Sequence, residues 1–187
     1  MSYVKVYDDV LPKLICRNTI KKFESKVEQQ EEVVLKDHRS FTEINLNQNR
    51  ETWKQEIDFL MASLHEHIII YKKDVGIDDR AWPNKYGFEE LRMKRYLPND
   101  KDEIQFHVDV EDHSSAKRFL VFFWYLNDVN LGGETTFQLN RNVPPKIKVQ
   151  PREGRLLIFP PLWTHPHIAS RPVDTTKYII GGYLHYL

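Results

Sequence analysis

The sequence predicts a mainly β protein braced by N-terminal α-helices, built as two packed sheets or a jelly roll, and three observations predict it. Apolar residues recur at spacings of three and four between Trp53 and Tyr71, the mark of a helix with one buried face. From Leu91 onward short β-rich runs are separated by turn residues, the pattern of an all-β core. The chain has 187 residues, 41% of them hydrophobic, which supplies one sizeable core better than two. Residues 1–187 are therefore read as one domain, with 1–75 as helical support and about 91–187 as the β core.

Taken in order, Tyr3 to Tyr7 alternates as a short strand does, and Leu14, Ile15, Ile20, Phe23 and Val27 mark an amphipathic helix after Leu11-Pro12. The polar stretch from His38 to Arg50 reads as a loop interrupted by Phe41, Ile44 and Leu46. Trp53, Ile57, Leu60, Met61, Leu64, Ile68 and Tyr71 set the buried stripe of a long helix, so helices are expected to dominate the first 75 residues. After Gly76, Asp79 to Asn84 is turn chemistry. Strands are expected at Leu91–Leu97, Ile104–Asp109, Phe119–Leu126, Thr135–Leu139, Lys146–Gln150, Arg155–Phe159 and Tyr178–Tyr186, punctuated by Pro98-Asn99-Asp100, Gly132-Gly133 and Gly154.

Lys plus Arg (27) balances Asp plus Glu (27) with no long basic run, which disfavours a nucleic-acid partner. The single cysteine, Cys16, cannot form an internal disulfide and is read as core filler in a reducing compartment. No stretch approaches a membrane span and the N-terminus lacks an apolar leader. The default expectation is a soluble cytoplasmic protein.

His107-Val108-Asp109 ends a predicted strand, and side chains two apart share a face, so an imidazole and a carboxylate converge on one cavity. A third ligand is available at His165 or His167. Two histidines and a carboxylate leave positions open for exogenous ligands, as in non-haem iron(II) oxygenases. Lys177 enters the last strand beside Tyr178, Ile179 and Ile180. A lysine pointing into such a core needs an anion, and a dicarboxylic cosubstrate would supply one.

From Leu91 to Tyr186 the ordered motifs resemble the prolyl 4-hydroxylase-like branch of the 2-oxoglutarate/Fe(II) oxygenases. They are Met93 to Pro98, His107-Val108-Asp109, Phe123-Trp124-Tyr125-Leu126-Asn127-Asp128, Gly132-Gly133-Glu134-Thr135, Val149-Gln150-Pro151 and Gly154 to Pro160. The resemblance implies a double-stranded β-helix (a cupin-like jelly roll), with His107, Asp109 and His167 as iron ligands. It implies that Lys177 meets the distal carboxylate of 2-oxoglutarate and that Tyr96 and Tyr125 line its pocket. Fe(2+), 2-oxoglutarate and O2 are the implied cofactors, with ascorbate as supporting reductant. The implied reaction is hydroxylation of an unactivated carbon, with a prolyl residue of a protein or peptide as the leading substrate. His165 duplicates the distal histidine and, by strand alternation, would also face inward; the spacing to Lys177 favours His167.

Free amino acids or other small molecules are the alternative substrates, since fold does not settle specificity. Nucleobase demethylation is disfavoured because no arginine follows Arg171. A non-catalytic metal-binding jelly roll and a purely structural interaction protein are the readings outside enzymology. His38, His65, His67, His113 and His185 have no partners at ligand spacing and are read as surface or hydrogen-bonded core histidines. Trp82, Tyr86 and Phe88, with Arg39 and Asn84, flank the cavity mouth or cap the sandwich on this reading and are not assigned to the site. The segments His38 to Arg50 and Gly76 to Phe88 are the expected substrate-contacting loops.

Overall fold

The computed structural model describes residues 3–35, 39–140, 142 and 144–187. In chain order its elements are β1 (Lys5–Tyr7), α1 (Lys13–Ser25), β2 (Glu31–Leu35), β3 (Arg39–Asn45), α2 (Arg50–Val75), β4 (Tyr86–Phe88), β5 (Arg92–Tyr96), β6 (Ile104–His107), β7 (Arg118–Tyr125), β8 (Thr135–Phe137), β9 (Ile147–Val149), β10 (Leu156–Phe159), β11 (His167–Ala169) and β12 (Lys177–Tyr186). The strands run β1-β10-β7-β12-β5-β3-β6-β11-β8-β9, with β2 on β3 and β4 on β12. Neighbours on this path pair antiparallel. This is the barrel-like sheet arrangement of a double-stranded β-helix, as the sequence implied.

Period-two alternation splits the central strands between two cores. Leu120, Phe122 and Trp124 of β7, Leu156 and Ile158 of β10, and Ile180 and Leu184 of β12 join one buried cluster with Phe23 of α1 and the stripe of α2. Val121 and Tyr125, Leu157 and Phe159, and Ile179 turn the other way and meet Ile104, Phe137 and Val149 in a second, inner cluster. Each large apolar side chain fully buried on the helix side contributes about 1.5–3 kcal/mol relative to exposure. The helices thus hold one face of the sheet and leave the inner face to the site.

Helix α2 buries Trp53, Ile57, Leu60, Leu64, Ile68 and Tyr71, six of the seven positions in the predicted stripe, while Met61 packs at its edge. It stops at Gly76, whose φ of 68° places it in the left-handed region and lets its N–H reach back to the last turn. Cys16 is fully buried, as core filler should be. Val27 lies past the end of α1 and is exposed. Among the described residues, no helix is long and apolar enough to cross a membrane.

The expected loop at 38–50 is corrected: Arg39–Asn45 is a strand that pairs with β2, β5 and β6. Polar residues suit this strand because Ser40, Glu43 and Asn45 are satisfied inside the fold. Ser40 Oγ donates to Asp102 at 2.9 Å, Glu43 pairs with Arg92, and Asn45 Oδ1 caps the backbone N–H groups of Asn47 and Gln48 at 3.1 Å. The first 75 residues therefore hold a β-hairpin between the two helices, and helices do not simply dominate them. His38 lies outside the described residues.

Candidate metal and cosubstrate site

Strands β6 and β11 pair so that His107 stands opposite His167, with ring centroids 4.2 Å apart. Asp109 follows β6 and is anchored by its own N–H donating to Pro161 O at 3.1 Å. Ligand-competent atoms of His107, Asp109 and His167 all lie within 4.8 Å of one another. The Nδ1 of His107 is 2.7 Å from Gln105 O and that of His167 is 3.1 Å from His165 O. A carbonyl only accepts, so both Nδ1 atoms carry the proton and both Nε2 lone pairs are free to face Asp109.

The electrostatics suit a cation. Burial would push the Asp109 carboxyl up, yet His167, His107 and the Tyr183 hydroxyl together hold it well below the usual carboxylate range. Burial brings His167 down to about 4, with Asp109 opposing the shift. An ionised carboxylate and a neutral imidazole are the states that bind metal. Asp109 Oδ1 accepts from Tyr183 Oη at 2.8 Å, whereas the buried Oδ2 has no hydrogen-bond partner. A buried carboxylate oxygen left without a donor is costly, and a metal ion shared with the two Nε2 atoms would satisfy it. The residues present fit such an ion.

Lys177 is 1% exposed and lines the same narrow cavity, about 60 Å³, as His107, Asp109 and His167. Its ammonium donates to Gly133 O at 3.0 Å and Ser170 O at 3.5 Å and stands 4.4 Å over the Tyr96 ring. Gly132 and Gly133, at φ of 73° and 72°, make the left-handed turn that aims that carbonyl inward. Among the described residues Lys177 has no carboxylate within ion-pair distance. Burial brings it down to about 7, Glu134 opposing and Lys94 assisting.

Tyr96 is fully buried, lines the cavity, and leaves its hydroxyl without a partner. Tyr125 stands one layer back: its hydroxyl is 2.7 Å from Thr135 Oγ1, and Thr135, not Tyr125, lines the cavity. Burial pushes all three phenols, Tyr96, Tyr125 and Tyr183, above their ordinary range, so they remain protonated. His165 is corrected outright. Alternation does not reach it, because β11 begins at His167 and residues 162–165 form a turn closed by His165 N–H to Leu162 O at 2.8 Å. Its ring contacts Thr164 and the edge of Tyr3, in a separate surface pocket.

The sequence reading missed two inward side chains. Tyr183 shares the strand face of Lys177 and holds Asp109, while Arg118 stacks 3.9 Å over its ring and donates to Asp109 O at 3.0 Å. Lys94 shares the face of Tyr96 and lines the narrow cavity. Counting in twos from Lys177 and from Tyr96 would have found both. Beside the narrow cavity opens a wider one of about 680 Å³, which shares Lys94, Val121, Phe123, Ile179 and Tyr183 with it. Arg39 and Phe88 line this wide cavity, whereas Trp82 and Tyr86 pack around Phe119 and cap the helix side. His65 and His67 bond helix carbonyls through Nδ1, in keeping with their structural reading.

Among the solved structures that share this fold are three prolyl hydroxylases. A collagen prolyl hydroxylase of Paramecium Bursaria Chlorella virus-1, determined with 2-oxoglutarate, aligns at TM-score 0.69 and 19% identity over 100% of this chain and 97% of its own. A prolyl-4-hydroxylase of Pseudomonas putida aligns at 0.66 and 14% over 100% and 94%. A prolyl hydroxylase of Trichoplax adhaerens, complexed with a hypoxia inducible factor peptide fragment, aligns at 0.75 and 17% over 99% and 84%. No curated protein sequence matches the chain. Residues 91–185, which carry the cluster, Lys177 and the strands between them, match the model of the 2OG-Fe(II) oxygenase superfamily. The chain therefore belongs to that superfamily and is a 2-oxoglutarate-dependent dioxygenase that uses Fe(2+), 2-oxoglutarate and O2.

Proposed function

We propose that this dioxygenase hydroxylates an unactivated carbon of a prolyl residue within a protein or peptide, with His107, Asp109 and His167 holding the iron. The observation that carries the site assignment is the arrangement of one narrow cavity. A His-Asp-His cluster with an unpartnered carboxylate oxygen and a buried lysine without an anion line it together. Lys177 receives the distal carboxylate of 2-oxoglutarate, and the Tyr96 hydroxyl is the second donor in reach of the cavity. The peptidyl reading is supported by the wide cavity, which opens beside the narrow one and offers more room than a single amino acid requires, and by the three prolyl hydroxylases that share the fold.

When bound, Fe(2+) supplies the activation of O2 coupled to conversion of 2-oxoglutarate into succinate and carbon dioxide. The chain supplies position and exclusion. Gln105 O and His165 O fix the ring planes and tautomers of the two histidines. Tyr183 and Arg118 hold the Asp109 carboxylate and its backbone. Phe137 and Phe159 pack against His167 at 5.6 and 4.8 Å and keep water from that side. Residues 1–187 act as one unit on this reading, since α1 and α2 share a buried cluster with β5, β7, β10 and β12.

The test is succinate formation from 2-oxoglutarate with Fe(2+), ascorbate and O2, with proline-containing peptides present or absent. His107→Ala and His167→Ala should fall to background while His165→Ala stays within about twofold of wild type. Turnover surviving in His167→Ala would overturn the ligand set. Stimulation by no prolyl peptide, together with turnover of a free amino acid, would replace the peptidyl substrate.

A further inference from the structure

The wide cavity contains charges of both signs, and their pairing is uneven. Glu89 takes both arms of Arg118, at 2.8 and 2.9 Å, and Glu43 and Glu90 are engaged by Arg92. Glu43 stands directly opposite Lys94 across the β3–β5 pair, the place where a cross-strand ion pair is ordinarily made. Arg92 has taken that carboxylate. The Lys94 ammonium instead lies 4.6 Å over the Phe41 ring; burial lowers its pKa, Glu43 and Asp109 oppose the shift, and Arg39 and Arg92 add to it.

Arg39 lies on the same inner face of β3, two positions before Phe41, and lines the wide cavity together with Lys94. Its Nε is buried without a hydrogen-bond partner, and it makes no ion pair among the described residues. Two cations converge in the wide cavity, where Glu43, Glu89 and Glu90 are engaged by other arginines, and among the described residues neither makes an ion pair with the Asp109 and Glu111 carboxylates that line the adjoining pocket with them. Leaving both uncompensated is expensive, and a guanidinium fork beside an ammonium is a carboxylate receptor. Lys94 also lines the narrow cavity, so this receptor sits at the mouth through which a target carbon must reach the metal cluster.

We propose that Arg39 and Lys94 form an anion subsite that selects a substrate bearing a carboxylate close to the carbon to be hydroxylated. The inference rests on the peptidyl reading above, in which the carboxylate belongs to an aspartyl or glutamyl side chain next to the target proline. The same chemistry would be offered by the α-carboxylate of a free amino acid, and the two sources separate experimentally.

Anaerobic binding to the Fe(2+)- and 2-oxoglutarate-loaded protein is measured for peptide twins that differ only by Asp or Asn beside proline. The acidic twin should bind at least about tenfold more tightly, the scale of one charge-assisted contact. Arg39→Gln and Lys94→Gln should each erase most of that preference. Arg39→Glu should reverse it toward a lysine-bearing twin, a gain that a misfolded variant cannot give. Free L-proline and L-prolinamide form a further arm: competition by the acid alone, with the twins binding equally, assigns the subsite to an α-carboxylate.

Equal binding of the twins, with no competition by L-proline, overturns the inference. So does a change confined to the affinity for 2-oxoglutarate in the Arg39 and Lys94 variants. Aerobic hydroxylation is scored separately. An acidic preference without any prolyl hydroxylation sinks the prolyl reading and leaves the subsite standing.

Discussion

The two faces of the large sheet are made from the same strands and do opposite work. On β7, Leu120, Phe122 and Trp124 face the helices, and on β12, Ile180 and Leu184 do the same. One residue away along each strand, Val121, Ile179 and Tyr183 line the cavities, and Lys177 lines the narrow one with them. Stability is thus concentrated on one parity and chemistry on the other. The difference teaches that the inner face tolerates a bare lysine, an idle phenol and an orphaned carboxylate oxygen because the helix face supplies the folding energy.

Substitutions can break the comparison, and the largest effect is expected from the helix face. Trp124→Ala removes a fully buried ring and should cost about 3–5 kcal/mol in urea unfolding, while the folded fraction keeps its 2-oxoglutarate KM. A raised KM in that variant would show that the two faces are coupled.

Lys177→Met should raise the KM for 2-oxoglutarate by about a hundredfold, since a charge-assisted contact of roughly 1.5–3 kcal/mol is lost, and should leave the unloaded protein no less stable at neutral pH. The pH dependence carries a sign. The folded pKa of Lys177 lies at about 7, below its unfolded value of 10.5, so between those values the unfolded chain holds the extra proton. The stability of the unloaded protein should rise with pH across that window, and Lys177→Met should lack the slope. For the same reason the wild-type KM for 2-oxoglutarate should be flat below about pH 7 and climb above it. A KM independent of pH from 6 to 9 would argue against a charged Lys177 in the loaded site.

Tyr183→Phe leaves the ring under Arg118 and removes only the hydroxyl on Asp109. Affinity for Fe(2+), or for Co(2+) as a spectroscopic reporter, should fall by about 10–100-fold, and the unloaded protein should lose about 1–3 kcal/mol because Oδ1 is then also left without a donor. The smallest effect belongs to Tyr96→Phe. Its hydroxyl is buried without a hydrogen-bond partner, so stability should hold or rise slightly, and only the KM for 2-oxoglutarate should respond, by about tenfold or less.

Much of the inner parity was legible from sequence. His107, Asp109 and His167 were named together, and strands β5, β7, β10 and β12 fell where alternation put them. The readings failed where local pattern and local environment disagree. Arg39–Asn45 looks like a loop because Ser40 and Glu43 find their partners, Asp102 and Arg92, far along the chain. Arg39 is still read from the sequence as a residue at the cavity mouth or on the cap of the sandwich, but without the strand that aims it inward. His165 looked inward-facing because alternation was continued past the end of β11 into a turn. Tyr125 was placed against the cavity on resemblance, and Thr135 intervenes. Strand β11, three residues long, carries too short a pattern to be read before its partner is known.

The pairing of His107 with His167 also says where this chain can be lengthened. The two rings meet through a single rung, and the pairing irregularity between His167 and Ala169 begins immediately beside it. Inserting one residue within β6 or at the start of β11 would rotate one imidazole out of the cavity and dismantle the centre at a stroke. Extra residues at Asn84-Lys85, exposed and outside both strands, leave that rung alone, whereas the Glu111 to Ser115 turn is closed by Ser115 Oγ and the Leu162 to His165 turn carries the carbonyl that holds His167. As a scaffold for grafting, the protein is therefore unforgiving at one hydrogen-bonded step of its ladder and at the two turns beside it.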